Sequence, residues 1–91
     1  MKTPEEMVEA NKQIPTEEIL TDIRWTRSEV ETYQAELDVL RKNPVENKLQ
    51  IYLREGKISK RIEFIENLER LLGYRQKLEE IKSEEKQWPT L

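Results

Sequence analysis

The chain has 91 residues, a formal net charge of −3, and slightly more charged residues (38%) than hydrophobic ones (35%). This length allows one domain at most, and this composition is typical of long, solvent-exposed helices or of a coiled coil. The chain contains neither cysteine nor histidine, which excludes disulfides, thiolate chemistry and the usual neutral-pH acid–base side chain.

The first predicted element is a short N-terminal helix. Thr3, Pro4 and Glu6 supply an N-cap hydroxyl, a proline at the first helical position and a glutamate at the third, which is a capping-box pattern. The helix must end before Pro15, because a proline disfavours helical conformation in the residue that precedes it. We therefore assign residues 1–15 to an N-terminal arm with a short helix.

The second predicted element is a long helix over about residues 17–42. It starts after Thr16, and Glu17 and Glu18 place negative charge in its first turn, where the helix dipole favours it. Its apolar residues alternate at spacings of four and three, which is the heptad pattern of a helix that packs along one seam. The seam consists of Ile19, Ile23, Thr26, Val30, Tyr33, Leu37 and Leu40.

A second long helix is predicted from Pro44 to about residue 85. Asn43 provides its N-cap, Pro44 its first position and Glu46 its third, again a capping-box pattern. One apolar residue recurs every seven positions along it, at Ile51, Ile58, Ile65 and Leu72. The repeat passes through Gly56 without losing phase, so we predict one continuous helix with Gly56 on its outer face. A C-terminal tail follows at residues 87–91.

The short connection makes the two long helices antiparallel neighbours. Three apolar layers fit one register, in which the two residue numbers of each layer sum to 88. These layers are Leu37–Ile51, Val30–Ile58 and Ile23–Ile65. The same register sets Glu36 opposite Arg54. It also sets Glu29 opposite Arg61, although charge was not used to choose it. We therefore predict an all-α fold, an antiparallel two-helix coiled-coil hairpin over residues 16–86.

The charges are unevenly distributed, with a net charge of −6 over residues 1–40 and +3 over residues 41–91. Within the second half, Lys48–Arg61 is a basic stretch of the kind that can bind nucleic acid. The register matches its two arginines with glutamates, which leaves Lys57 and Lys60 free, with Tyr52 nearby as a stacking ring. We interpret the stretch as structural and keep nucleic-acid binding as the alternative.

A second apolar stripe runs along the second long helix, rotated away from its seam. It comprises Phe64, Leu68, Leu71, Tyr74, Leu78 and Ile81. A helix that is apolar on two faces is normally buried on two faces, and the part beyond Leu72 extends past the first long helix. The N-terminal helix, a second copy or a different protein could cover it. We predict that the stripe is the association surface of a homodimer, which would form a helical bundle.

Two tryptophans, Trp25 and Trp88, lie off the seam. Tryptophan is enriched among the residues that dominate binding energy at interfaces, so both are candidate partner anchors. Tryptophan also fills small satellite cores, and we expect Trp25 to pack against the N-terminal segment. For Trp88, the sequence does not choose between a frayed tail and a short docking segment.

These patterns favour a non-enzymatic protein-interaction module, a small regulator or inhibitor that docks on a larger protein through the apolar face of the second long helix. The carboxylates lie on helix faces that should be solvated, so we expect no catalytic residue, metal site or cofactor. No apolar run reaches the length of a signal-peptide core or a membrane span, and we expect a cytoplasmic protein without membrane contact. The alternatives are a nucleic-acid-associated protein that uses Lys48–Arg61 and a divalent-metal carboxylate enzyme.

Overall fold

A computed structural model describes residues 3–87 of the chain, with side chains up to residue 83, and folds them into three α-helices. α1 spans Pro4–Ala10, α2 spans Thr16–Leu40 and α3 spans Lys48–Gln87. The two long helices, α2 and α3, pack against each other, and α1 packs against α3. The described residues form no strand, so the predicted all-α class is confirmed.

The N-terminal helix begins and ends as the sequence predicts. Thr3 is the N-cap of α1, and its Oγ1 accepts a hydrogen bond from the Glu6 backbone N–H at 3.2 Å. α1 ends at Ala10, before Pro15, and Asn11 closes it by donating from Nδ2 to the Met7 carbonyl at 2.8 Å. Pro15 then serves as the N-cap residue of α2.

The connection between the two long helices is longer than predicted. α2 ends at Leu40 rather than at residue 42, and α3 begins at Lys48 rather than at Pro44. The intervening chain forms turns, in which the Asn47 side chain donates from Nδ2 to the Leu40 carbonyl at 3.1 Å. This bond satisfies a carbonyl at the end of α2. The same bond holds Asn47 in the turn, so α3 begins at the next residue, Lys48.

One hydrophobic core runs between α2 and α3. Its buried members are Ile19, Ile23, Val30, Leu37, Ile58, Ile65 and Leu71, and Tyr33, Ile51 and Leu72 pack partly buried against it. Thr26 is also buried, and its hydroxyl is satisfied because Oγ1 donates to the Asp22 carbonyl at 2.7 Å. The two predicted seams therefore form most of the core; Leu40 lies outside it, and Leu71, which was predicted on the second stripe, belongs to it.

Ion pairs across the hairpin confirm the predicted register. Arg54 Nε lies 2.6 Å from Glu36 Oε2. Arg61 Nε lies 2.8 Å from Glu29 Oε2. All four side chains are partly exposed, and an exposed ion pair contributes only about 0.2–1 kcal/mol to stability. These pairs therefore specify the alignment of the helices more than they stabilise it.

Two further ion pairs serve carboxylates that interrupt the apolar seam of α3. Glu55 lies between Ile51 and Ile58 in the seam, and Glu69 lies between Ile65 and Leu72. A coiled coil normally has an apolar residue at these positions. Arg41 Nη2 lies 3.2 Å from Glu55 Oε1, and Arg27 pairs with Glu69. Both carboxylates thus reach the edge of the seam, where arginines of α2 and of its C-terminal end neutralise them.

α1 covers the part of α3 that extends past α2. The Arg75 guanidinium donates to the backbone carbonyl of Asn11, and its Nη1 lies 3.4 Å from Thr16 Oγ1. Further along α3, Leu78 borders a concavity that Val8 lines from the other side. Because lower residue numbers of α1 meet higher ones of α3, α1 runs antiparallel to α3 and continues the direction of α2. Of the three possible covers for this region, the chain supplies its own N-terminal helix.

The molecule is a rod rather than a globule. Its radius of gyration is 19.4 Å and its extents are 73 × 25 × 20 Å, whereas a compact domain of this length has a radius of gyration of about 12 Å. Its accessible surface is 7768 Å², against about 5,600 Å² for a compact protein of this mass. The helices of the described part do not include one both long and apolar enough to cross a membrane.

Candidate protein-interaction surface

The predicted association surface on α3 is only partly exposed. Its exposed members are Phe64 (46%) and Ile81 (40%), and its half-buried members are Leu68, Tyr74 and Leu78. Leu71 is 4% exposed and belongs to the core. Leu71 therefore does not lie on the surface of the chain, and we remove it from the candidate surface.

The N-terminal helix packs against α3 at the end of this stripe. Val8 of α1 packs against the core cluster that contains Leu71. Val8 also lines a concavity of about 350 Å³ together with Leu78. The spacing of apolar residues along α3 indicates that a second face of this helix is buried. It does not indicate which segment buries it. The sequence therefore identified the stripe and left its cover open.

Trp25 does not pack against the N-terminal segment, so that prediction is wrong. Its side chain is 69% exposed on the outer face of α2, and α1 packs against α3 instead. Around it, Thr21, Arg24 and Ser28 line a shallow concavity of about 310 Å³. Its exposure leaves Trp25 accessible to a partner, so its assignment as an anchor stays a prediction. Trp88 lies outside the described residues.

A group of more exposed apolar residues lies at the hairpin tip, on the turn and the first two turns of α3. We name this group the tip surface; it consists of Val45 (88% exposed), Leu49 (69%), Tyr52 (72%) and Leu53 (50%). Residues three and four apart share one face of a helix, so the three members within α3 form one patch. The tip surface was not among the predicted site residues.

The heptad register contains a signal for the tip surface. With Ile51 and Ile58 facing α2, Leu49 and Leu53 fall at outer positions of the heptad, where a helical hairpin normally has polar residues. Two leucines there, one turn apart, indicate an apolar patch that the hairpin itself does not need. The stripe further along the helix is longer and more regular, and its spacing masks the signal of this shorter group.

Gly56 extends the tip surface with a notch in α3. It lies inside the helix without a positive φ, which confirms that the helix is continuous there. A Cβ atom at Gly56 would meet no atom within 4 Å. Tyr52 and Lys60 flank the gap and, with the neighbouring residues of α3, border a concavity of about 490 Å³. A partner side chain can therefore approach the helix backbone at this point.

The basic stretch around Gly56 is largely engaged within the hairpin. Arg54 and Arg61 pair with glutamates of α2. Lys57, which the sequence analysis left free, places its Nζ 5.7 Å from the centre of the Tyr33 ring. This cation–π contact places Lys57 against α2, whereas Tyr52, which the sequence suggested as a stacking ring for nucleic acid, is exposed. Among the described residues, Lys60 makes no ion pair, so its charge stands beside the tip surface.

Three side chains in ion pairs, Glu9, Lys12 and Arg61, have shifted pKa values. The hydrogen bond from Lys12 Nζ to Glu9 Oε1, 2.7 Å long, lowers the pKa of Glu9 and raises that of Lys12. The hydrogen bond with Glu29 raises the pKa of Arg61. Each of these shifts favours the charged form of its group, as a structural ion pair does. In the part of the chain that the structure describes, no three carboxylates gather as a metal-binding group.

No family model matches this chain, and comparisons with curated proteins and with solved structures give no match either.

Proposed function

We propose that this protein is a non-enzymatic protein-interaction module of the cytoplasm, a small regulator or inhibitor that docks on a larger protein through α3. The observation that carries the proposal is the tip surface, where Leu49, Tyr52 and Leu53 are each at least half exposed on one helix face. Contiguous exposed apolar residues on a small protein commonly mark an interaction site.

The energetics of apolar burial support this use of the tip. Full burial of a leucine side chain contributes about 1.5–3 kcal/mol, and the hairpin core leaves most of the tip leucines in water. Docking on a partner would bury the part of these side chains that stays exposed after folding, and this burial would stabilise the complex. Tyr52 adds an aromatic side chain, a type that is enriched at protein interfaces.

The charges beside the tip surface define the chemistry of the partner. Lys48 and Lys60 make no ion pair within the described part of the chain, and both lie on the same half of α3 as the tip leucines. A partner with an apolar pocket and an acidic rim would complement them. A nucleic-acid partner fits less well, because Arg54 and Arg61 are already paired and nucleic-acid sites are usually denser in basic residues.

Two finer features belong to the same proposal. We propose that α2 and α3 form a true coiled coil, in keeping with the heptad spacing of the core residues. We also propose that two copies associate as a homodimer through apolar residues that remain exposed on α3, the tip surface or Phe64. Neither feature is needed for docking on a larger protein.

A pair of charge substitutions tests the docking surface. The Leu49→Glu, Leu53→Glu variant should keep its helicity, because both residues are exposed, but it should lose the partner. The matched control is Gln34→Glu, Gln76→Glu, which adds the same charge at exposed positions away from the tip. Affinity capture from the native host with mass spectrometry would compare the three proteins.

The supporting result is a partner that the wild-type chain and the control retain and the tip variant loses. With that partner purified, the tip variant should bind at least about tenfold more weakly, equivalent to about 1.4 kcal/mol. Equal binding of the tip variant and the control would show that the tip surface is not the docking site. Salt-sensitive binding of the wild-type chain to nucleic acid would instead favour the alternative.

A further inference from the structure

We infer that α1 is a displaceable cover, and that the groove beneath it on α3 binds an amphipathic, acidic helix from another protein. The groove lies along the second apolar stripe, on the half of α3 that α2 does not reach. It is separate from the tip surface, so the inference does not depend on the proposed docking there.

α1 itself shows which chemistry the groove accepts. Val8 packs against the hydrophobic core from the α1 side. On the α3 side, Leu78 provides the apolar floor, and the rim carries the two cations Arg75 and Lys82 and one carboxylate, Glu79, so its net charge is positive. The carbonyl of Asn11, at the C-terminal end of α1, accepts a hydrogen bond from Arg75. The groove thus accepts a helix with an apolar side chain below and oxygen acceptors at its edge.

The basic rim favours an acidic helix. Glu9 is held mainly by Lys12 of its own segment, and the charge of Lys82 acts on it in the same direction, lowering its pKa. When α1 leaves the groove, Lys12 leaves with it, whereas Arg75 and Lys82 remain. An incoming helix with a carboxylate near the position of Glu9 would therefore meet Lys82 without a competing lysine of its own, and Arg75 lies further along the same groove.

α1 is held weakly enough to be displaced. It has seven residues and none of them is fully buried. Isolated helices shorter than about 12–15 residues are marginal in water, so α1 depends on its contacts with α3. Those contacts include the partly buried Val8, the hydrogen bond from Arg75 to the carbonyl of Asn11, and the weak attraction of Lys82. A second helix that makes the same contacts can compete with it.

A helix from another protein could cover more of the stripe than α1 does. α1 ends at Ala10, where the chain turns toward α2. Phe64 lies on the same stripe, seven residues before Leu71, and it remains 46% exposed. An incoming helix that is not joined to α2 can run beside α2, along the stripe toward the exposed Phe64. This extra apolar contact is what would let a partner helix replace α1.

The test uses a synthetic peptide of residues 1–15 as the probe and the full chain as the receptor. In a Val8→Glu chain, the charged side chain should lift α1 from the groove. The peptide should then shift the amide NMR signals of Leu71 and Leu78. In the wild-type chain α1 itself competes for the groove, so the peptide should bind at least about tenfold more weakly. A second peptide, in which two helical turns with leucines directed toward Phe64 replace residues 12–15, should bind more tightly than the original.

A second variant, in which α1 is cross-linked to α3, provides an independent test in case Val8→Glu disturbs the fold. The chain has no native cysteine, so a short bis-maleimide can join Val8→Cys to Leu78→Cys selectively and hold α1 in place. The locked chain should not bind either peptide, and the Leu49→Glu, Leu53→Glu variant should bind them as the wild type does. Equal peptide binding by the locked and unlocked chains would refute the inference. So would the absence of peptide binding to a Val8→Glu chain of unchanged helicity.

Discussion

Gly56 and Gly73 are the only glycines of the chain, and both lie inside α3, where a new Cβ would meet no atom within 4 Å. Neither has a positive φ. Glycine in a helix interior costs about 0.8–1 kcal/mol relative to alanine, because it loses more backbone freedom on folding. These positions therefore weaken α3 without any packing reason in the described structure.

We predict that Gly56→Ala increases the free energy of unfolding by up to about 1 kcal/mol. Gly73→Ala should do the same, and the double variant should show the sum of the two effects because the sites lie far apart. Urea denaturation followed by circular dichroism would measure all three. A clear loss of stability in Gly56→Ala alone would indicate that the notch is needed for a contact between two copies.

At the scale of the elements, the alignment of α2 and α3 makes a specific prediction. Val30 and Ile58 form one layer of the predicted register and belong to the same core. A Val30→Cys, Ile58→Cys variant should therefore close an intramolecular disulfide on mild oxidation. The matched control is Val30→Cys, Ile51→Cys, in which the second cysteine is displaced by seven residues, about 10 Å along the helix.

Electrophoresis without reductant would show the disulfide in the first variant and its absence in the control. Efficient closure in the control, with none in the first variant, would mean that the helices are offset by one heptad. The ion pairs Glu36–Arg54 and Glu29–Arg61 already argue against that offset.

The sequence predicted the pairing of α2 and α3 well, because the residues that join these helices recur at regular spacing. The seam from Ile19 to Leu37 repeats at heptad spacing, so its partner and register could be deduced from residue numbers alone. The burial of Leu71 could not, because Leu71 lies off the heptad seam of α3 and its burial follows no repeat. The bond from Arg75 to Asn11, which ties α1 to α3, joins residues 64 positions apart and follows no repeat. The start of α3 was missed for a similar reason, since the Asn47 side chain bonds back to α2.

At the scale of the whole molecule, the exposed apolar residues of α3 make the homodimer a testable prediction. We expect the wild-type chain to sediment with twice the mass of a single chain at high concentration. Leu49→Glu, Leu53→Glu should return it to a single chain if the dimer uses the tip surface. Phe64→Glu should do so if it uses the stripe. Gln34→Glu, Gln76→Glu should leave the mass unchanged.

Sedimentation equilibrium over a range of concentrations would measure these masses. A wild-type chain that remains single at the highest concentration would rule out the homodimer and leave docking on a different protein as the use of the tip. Small-angle scattering provides an independent check, because a single chain should have a radius of gyration close to 19.4 Å, calculated over Cα atoms.

The antiparallel course of α1 along α3 also determines the polarity of the rod. Thr3 and the last turn of α3 lie at one end, and the turn between α2 and α3 lies at the other, within a molecule 73 Å long. A label, a surface linkage or a fused domain attached at Thr3 or at Gln87 would therefore sit near the α1 groove and far from the tip. Tethering the chain at these residues should interfere with helix exchange at α1 while holding Leu49 and Tyr52 out into solution, about the length of α3 away, or roughly 60 Å.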